Sequence, residues 1–127
     1  MSRELVLEFI RHINAGNVEE IIKMMSADHI FTDGLGNSMD HEQMKNGWPA
    51  YLELFPDYRI EIDSLAVNGD TVLLAGRAGA SYKGSGKEED SWNIPAAWKA
   101  IVTGKYIKHW QVYCDSSAPF AILAKMK

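Results

Sequence analysis

The chain has 127 residues, 46% hydrophobic and 24% charged, with a net charge of −4. That size and balance suit one globular domain, residues 1–127, with room for a core and a separate cavity. The acidic balance without a Lys/Arg cluster excludes a nucleic-acid or polybasic membrane footprint. No run is long enough to span a membrane, and the lone cysteine, Cys114, excludes an intramolecular disulfide.

Arg3, Glu4, Glu8, Arg11 and His12 interrupt the first segment and argue against a secretory leader, so a soluble cytoplasmic protein is expected. Behind Ser2, a capping residue, Leu5, Val6, Phe9, Ile10 and Ile13 recur at helical spacing, and Gly16 closes the helix. Asn17 and Glu20 make a capping-box pair for a second helix with Val18, Ile21, Ile22 and Met25 as its apolar stripe. Asp28 to Asp33 predicts a short strand, ended by Gly34-Leu35-Gly36-Asn37. Asp40 with Gln43 opens a third helix through Met44, Trp48, Tyr51, Leu52 and Phe55, and Pro49 predicts a kink or restart in it.

From Tyr58 the pattern is strand. Tyr58, Ile60 and Ile62 alternate with Arg59, Glu61 and Asp63, Asn68-Gly69-Asp70 is a hairpin turn, and Thr71 to Tyr82 returns with bends or bulges at Gly76 and Gly79. Gly84 to Asp90 is a polar, mobile loop. Ser91 to Val102 is the next strand, with Pro95 at an irregular start or an edge. Thr103-Gly104 turns into the last strand, and a short tail from Ser116 has helical character around Phe120 to Leu123. Helices come first and a long antiparallel meander follows, which is the α+β arrangement.

The last strand, Gly104 to Asp115, carries the densest chemistry. Alternation puts Ile107, His109, Gln111, Tyr113 and Asp115 on one face and Tyr106, Lys108, Trp110, Val112 and Cys114 on the other. The first face mixes apolar bodies with proton-exchanging tips and is expected to line a pocket. The second, with Trp110 and Val112, is expected to pack on another layer or subunit. A bulge would shift this sorting. His12, His29 and His41 read as surface or helix-face residues. The four histidines lack metal-ligand spacing, so neither a metal nor a cofactor is implied.

The order of elements resembles the nuclear transport factor 2-like superfamily, and within it the SnoaL-like polyketide cyclases and ketosteroid isomerases. The residues that carry the resemblance are Asn14-Ala15-Gly16-Asn17, Phe31 to Gly36, Phe55-Pro56-Asp57, Trp92 to Trp98, Gly104 to Ile107 and Trp110 to Asp115. It implies a cone-shaped curved antiparallel sheet wrapped around three N-terminal helices. It also implies carboxylate acid/base chemistry. A curved sheet wrapped around helices leaves a conical, apolar cavity, and a homodimer through the convex sheet face, with Trp110 and Val112 involved, is expected. Asp33 resembles the strand aspartate that shuttles a proton in ketosteroid isomerases, and Asp115 the acid/base of SnoaL-like cyclases; which of the two is the base stays open. Phe9 and Trp98 stand where the isomerases carry their oxyanion-holding tyrosine and protonated aspartate. Phe9 has no proton to give, whereas the Trp98 indole N–H can donate one.

Two functions remain open on these residues. One is an isomerase or cyclase moving a proton α to a carbonyl in an apolar pocket. Asp33, Asp115 and His109 would be its catalytic groups, and Phe9, Trp48, Tyr51, Trp92, Trp98, Gln111 and Tyr113 would hold a small apolar or aromatic carbonyl ligand. The other is a non-catalytic module binding a hydrophobic ligand or protein partner in the same cavity. Each residue also has a plain role: Asp33 can satisfy its turn, Asp115 can cap the tail, and the aromatics can be core.

Overall fold

A computed structural model describes residues 2–125. The elements run α1 (Ser2–Ala15), α2 (Val18–Met24), β1 (Met25–Thr32), β2 (Ser38–Asp40), α3 (His41–Leu54), β3 (Arg59–Asn68), β4 (Thr71–Ser81), β5 (Ser91–Thr103), β6 (Tyr106–Cys114) and α4 (Ser117–Lys125). The six strands form one sheet in the order β2-β1-β6-β5-β4-β3, antiparallel except for the β1–β6 pair. The expected α+β architecture is observed, with α4 as a fourth helix. None of the described helices is long and apolar enough to cross a membrane.

The apolar stripe of α1 is buried through Val6, Phe9, Ile10 and Ile13. Gly16 ends the helix at φ +70°, a conformation that costs a residue with a Cβ. Asn17 precedes α2, but its side chain makes no capping bond, which corrects the expected box with Glu20. The box on α3 does form: Asp40 accepts from the Gln43 N–H at 2.9 Å and Gln43 accepts from the Asp40 N–H at 2.9 Å. Helix α3 then continues through Pro49 without a restart. Met25 already belongs to β1, so that strand starts three residues earlier than the pattern indicated.

One polar side chain fastens helix to sheet. Asn14 accepts from the Ile60 N–H at 2.8 Å and donates to the Ile60 carbonyl at 3.0 Å, satisfying both backbone groups of a buried β3 residue. Asn14→Ala leaves those groups unpaired and is expected to cost about 1–3 kcal/mol, read from the urea midpoint.

Two bulges shape the sheet. In β3 the register slips at Asp63, opposite Gly76 of β4. In β6 it slips at Lys108, since Ile101 pairs with His109 while Val102 pairs with Ile107. Ile107 and Trp110 are both buried, three positions apart, so strict alternation fails between them. Pro95 lies one residue beyond the last β5–β6 pairing, Ala96 with Cys114, where only β4 flanks it; this is a local edge, as its missing N–H requires. The loop expected to be mobile contains two short 3-10 turns. Asp57 accepts from the Ser81 N–H and hydroxyl, and the Ser81 oxygen accepts from the Gly86 N–H at 3.0 Å, tying the loop to the end of α3.

Candidate functional site

A cavity of about 300 Å³ lies between α3, the inner face of the sheet and α4. Helix α3 contributes Met44, Gly47, Trp48 and Tyr51, and the turn after it adds Phe55 and Tyr58. Strand β5 contributes Trp92, Ile94 and Trp98, and β6 contributes Trp110, Val112 and Cys114. Pro119, Phe120 and Leu123 of α4 close one side. Lys125 anchors the far end of α4 by donating to the Glu89 carbonyl and pairing with Asp90 at 3.8 Å.

The walls are held by edge-to-face aromatic contacts, the arrangement ring quadrupoles favour. Tyr51 and Tyr58 meet at 5.1 Å and 89°, Phe55 and Trp92 at 5.6 Å and 87°. Trp98 stacks on Trp110 at 6.4 Å. Burial first, then the charges of Tyr58 and Cys114, pushes the Tyr51 phenol well above its ordinary range. Burial does the same to Tyr58, so both remain O–H donors at any physiological pH. The indole N–H groups of Trp48, Trp92 and Trp98 are buried with no acceptor among the described residues.

Asp33 sits at the rim, where β1 ends against β6. Its Oδ1 accepts from the Leu35 and Asn37 N–H groups, both at 2.9 Å. Its Oδ2 meets only the Asn37 amide, at 3.4 Å. Gly34 allows the close approach that follows: a Cβ there would lie 2.7 Å from Ser116 Oγ and 3.1 Å from Cys114 Sγ.

The bulge at Lys108 reverses the expected faces of β6. Trp110, Val112 and Cys114 look into the cavity, while His109, Gln111, Tyr113 and Asp115 lie outside its lining. His109 Nε2 hydrogen-bonds Thr32 Oγ1 at 3.0 Å, and burial, then the Lys99 charge, lowers its pKa. Asp115 is exposed, and Ser117, through its side chain first and then its N–H at 3.0 Å, holds the carboxyl below the usual range, opposite to what desolvation of a base would do. Phe9 is core, edge-on to Trp110 at 5.2 Å. Of the residues expected at the site, Asp33, Trp48, Tyr51, Trp92 and Trp98 line the cavity together. Tyr58, Cys114 and the α4 residues were missed. The signal for Cys114 was that Trp110, Val112 and Cys114 are the more apolar alternating set of that strand.

His29 is fully buried rather than on the surface. Its Nδ1 meets the Ile107 carbonyl at 2.6 Å, bridging β1 to β6 across the stretch between Met25 and Ile30 where regular pairing lapses. Burial favours its neutral form and lowers its pKa from 6.5. The unfolded chain therefore binds the proton more readily. The stability His29 contributes is whole above pH 6.5 and is lost as pH falls below it towards the folded value. Urea midpoints are expected to be flat above about pH 7 and to fall below 6.5, with a shallower slope in His29→Gln. The slope does not vanish, because His109 is shifted the same way.

A second, shallow groove of about 770 Å³ on the outside carries Lys23, His41, Glu42 and Lys45. Its mixed charges and wide opening define no ligand chemistry. Among the described residues, no group of three His, Cys, Asp or Glu side chains is placed to hold a metal ion.

Several solved structures share this fold. A proposed SnoaL-like polyketide cyclase from Shewanella denitrificans OS-217 matches with a TM-score of 0.81 and 14% identity, over 98% of this chain and 97% of that one. An NTF2-like protein of unknown function from Cytophaga hutchinsonii ATCC 33406 matches with a TM-score of 0.73 and 20% identity, over 94% and 95%. TerC co-crystallised with polyporic acid matches with a TM-score of 0.77 and 15% identity, over 97% and 98%. At these identities the likeness is one of fold. No curated protein matches the chain. The family model for the SnoaL-like domain matches residues 6–109, most of the chain. The chain belongs to the SnoaL-like domain family.

Proposed function

We propose that this chain is an isomerase- or cyclase-type enzyme that moves a proton α to a carbonyl, with the cavity as its substrate site and Asp33 as its base. The observation that carries this is the lining itself: among the described residues Asp33 is its one carboxylate, at the rim of an otherwise apolar, aromatic hollow. Two backbone N–H groups fix Oδ1, so the carboxylate is oriented while Oδ2 keeps lone pairs for a proton. Asp33 takes the α-proton, and the C–H electrons move through the enolate onto the carbonyl oxygen. In isomerisation the protonated Asp33 returns the proton to another carbon. In cyclisation the enolate carbon attacks a second carbonyl, and that alkoxide takes the proton. Donors on the cavity wall stabilise the enolate oxygen. That TerC was co-crystallised with polyporic acid supports a small organic ligand for this fold.

The probe is 2-tetralone in D2O, followed by NMR. The protein is expected to accelerate α-deuterium exchange, and Asp33→Asn is expected to abolish the acceleration. Exchange at the buffer rate with wild-type protein contradicts the enzyme reading. A non-catalytic ligand carrier is the second reading, favoured by the lack, among the described residues, of a second carboxylate or a histidine in the lining; binding without exchange supports it.

The homodimer expected through the convex face needs other residues than Trp110 and Val112, which point inward. The outer face presents Leu73, Tyr113 and Ile30, which are 51%, 47% and 38% exposed, in rows with Lys99, Gln111 and His109. We propose that two copies pair there, isologously. Light scattering is expected to give twice the chain mass for the wild type and the chain mass for Leu73→Glu. A monomeric wild type at high concentration contradicts it.

A further inference from the structure

Ser116 stands directly before α4, where a serine ordinarily caps the helix by accepting from the N–H of its second or third residue. Its carbonyl does accept from the Phe120 N–H, at 3.1 Å, as the residue before a helix should. Its side chain caps nothing. The third helical residue is Pro119, which has no N–H to give, and the Ser117 N–H goes to the Asp115 carboxylate instead. Asp115 therefore does the capping, and the Ser116 hydroxyl turns towards β6. There it lies 3.6 Å from Cys114 Sγ, its hydrogen-bond partner among the described residues. A thiol is a weak donor and a weak acceptor, so the hydroxyl proton is nearly uncommitted.

The place it turns to is the corner that holds Asp33. A Cβ on Gly34 would lie 2.7 Å from Ser116 Oγ, so the glycine next to Asp33 is what lets the hydroxyl come so close. Asp33, Gly34, Cys114 and Ser116 line the cavity together. A base that takes an α-proton has the carbonyl oxygen of the same molecule only two bonds from the carbon it attacks. Negative charge gathers on that oxygen as the proton leaves, and a donor fixed there stabilises it. The ionised carboxylate cannot serve, because it only accepts.

We infer that Ser116 is a second catalytic residue: its hydroxyl donates to the substrate's carbonyl oxygen while Asp33 takes the proton from the adjacent carbon. This deepens the proposed function and rests on it. The C–H bond breaks towards Asp33, its electron pair passes through the enolate onto oxygen, and the Ser116 proton stays on Oγ throughout. The hydrogen bond strengthens as the charge grows, so it favours the transition state over the bound ketone.

The test follows α-deuterium exchange of 2-tetralone in D2O. It adds two binding probes of one shape: 2-naphthol, which carries its oxygen where the enol of 2-tetralone does, and naphthalene, which has none. Ser116→Ala removes one oxygen and adds no bulk, and its thermal midpoint is expected to stay near that of the wild type. Its kcat for exchange is expected to fall about 10²-fold, as on losing one oxyanion donor, with KM little changed. The acid limb of kcat/KM against pH, which reports Asp33, is expected to stay where it is. In calorimetric titration the variant is expected to bind 2-naphthol about 5-fold more weakly, the worth of one ordinary hydrogen bond, and naphthalene as tightly as before. Full exchange by folded Ser116→Ala, or an equal loss of both probes, overturns the inference and leaves Asp33 as the base. An acid limb that moves with the substitution also overturns it, since Ser116 would then act through Asp33 and not on the substrate. Wild-type exchange at the buffer rate overturns the enzyme reading and the inference together.

Discussion

Asp33→Asn is expected to lower α-proton exchange by about 10²–10⁴-fold, the usual contribution of a positioned base, with little change in the thermal midpoint. The geometry separates these two effects. The corner at Asp33 is held by Oδ1, which accepts from Leu35 and Asn37, and an asparagine amide oxygen can accept the same two bonds. What asparagine lacks is a basic oxygen. Asp33→Ala removes both, so it is expected to lose activity and also loosen the corner that packs on Cys114 and Ser116. An Asp33→Asn protein that keeps full activity while folding normally would falsify the assignment. Asp115→Asn, on a carboxylate outside the lining, is expected to leave exchange unchanged.

Gly76→Ala is expected to destabilise the fold by about 3 kcal/mol or more, beyond ordinary overpacking. A Cβ on Gly76 would lie only 1.8 Å from the Glu61 carbonyl oxygen and 2.8 Å from its carbon. These are backbone atoms of the adjacent strand, so no side chain can swing aside. Gly76 sits opposite the β3 bulge, where the two strands approach closely. If the variant folds, the strands must part there, two residues from Ala78 of the cavity lining. Urea denaturation checks the stability. A Gly76→Ala protein as stable as wild type contradicts the close approach.

Much of the fold was legible because its signals are local. The Asp40–Gln43 box, the turn after Asn68 and the stripe from Val6 to Ile13 each lie within a few residues, and each formed as read. What was not legible depends on distant partners. β2 is three residues long and exists through its pairing with β1. His29 looked polar and exposed, yet β6 buries it and Ile107 supplies its hydrogen bond. At the site, Asp33 and the aromatics of α3 and β5 were recognisable by residue type. The inner face of β6 was not, because a single extra residue, Lys108, moves every later side chain to the opposite side. The four polar-tipped residues from His109 to Asp115 therefore left the pocket together, and Cys114 entered it.

The most direct test is nitrogen-15 NMR of the labelled protein titrated with 9-fluorenone. The side-chain N–H signals of Trp48, Trp92 and Trp98 are predicted to shift, while the backbone signals of His109, Gln111 and Tyr113 stay in place. Shifts confined to the outer face, with those indole signals unmoved at saturation, would contradict an inward-facing ligand site.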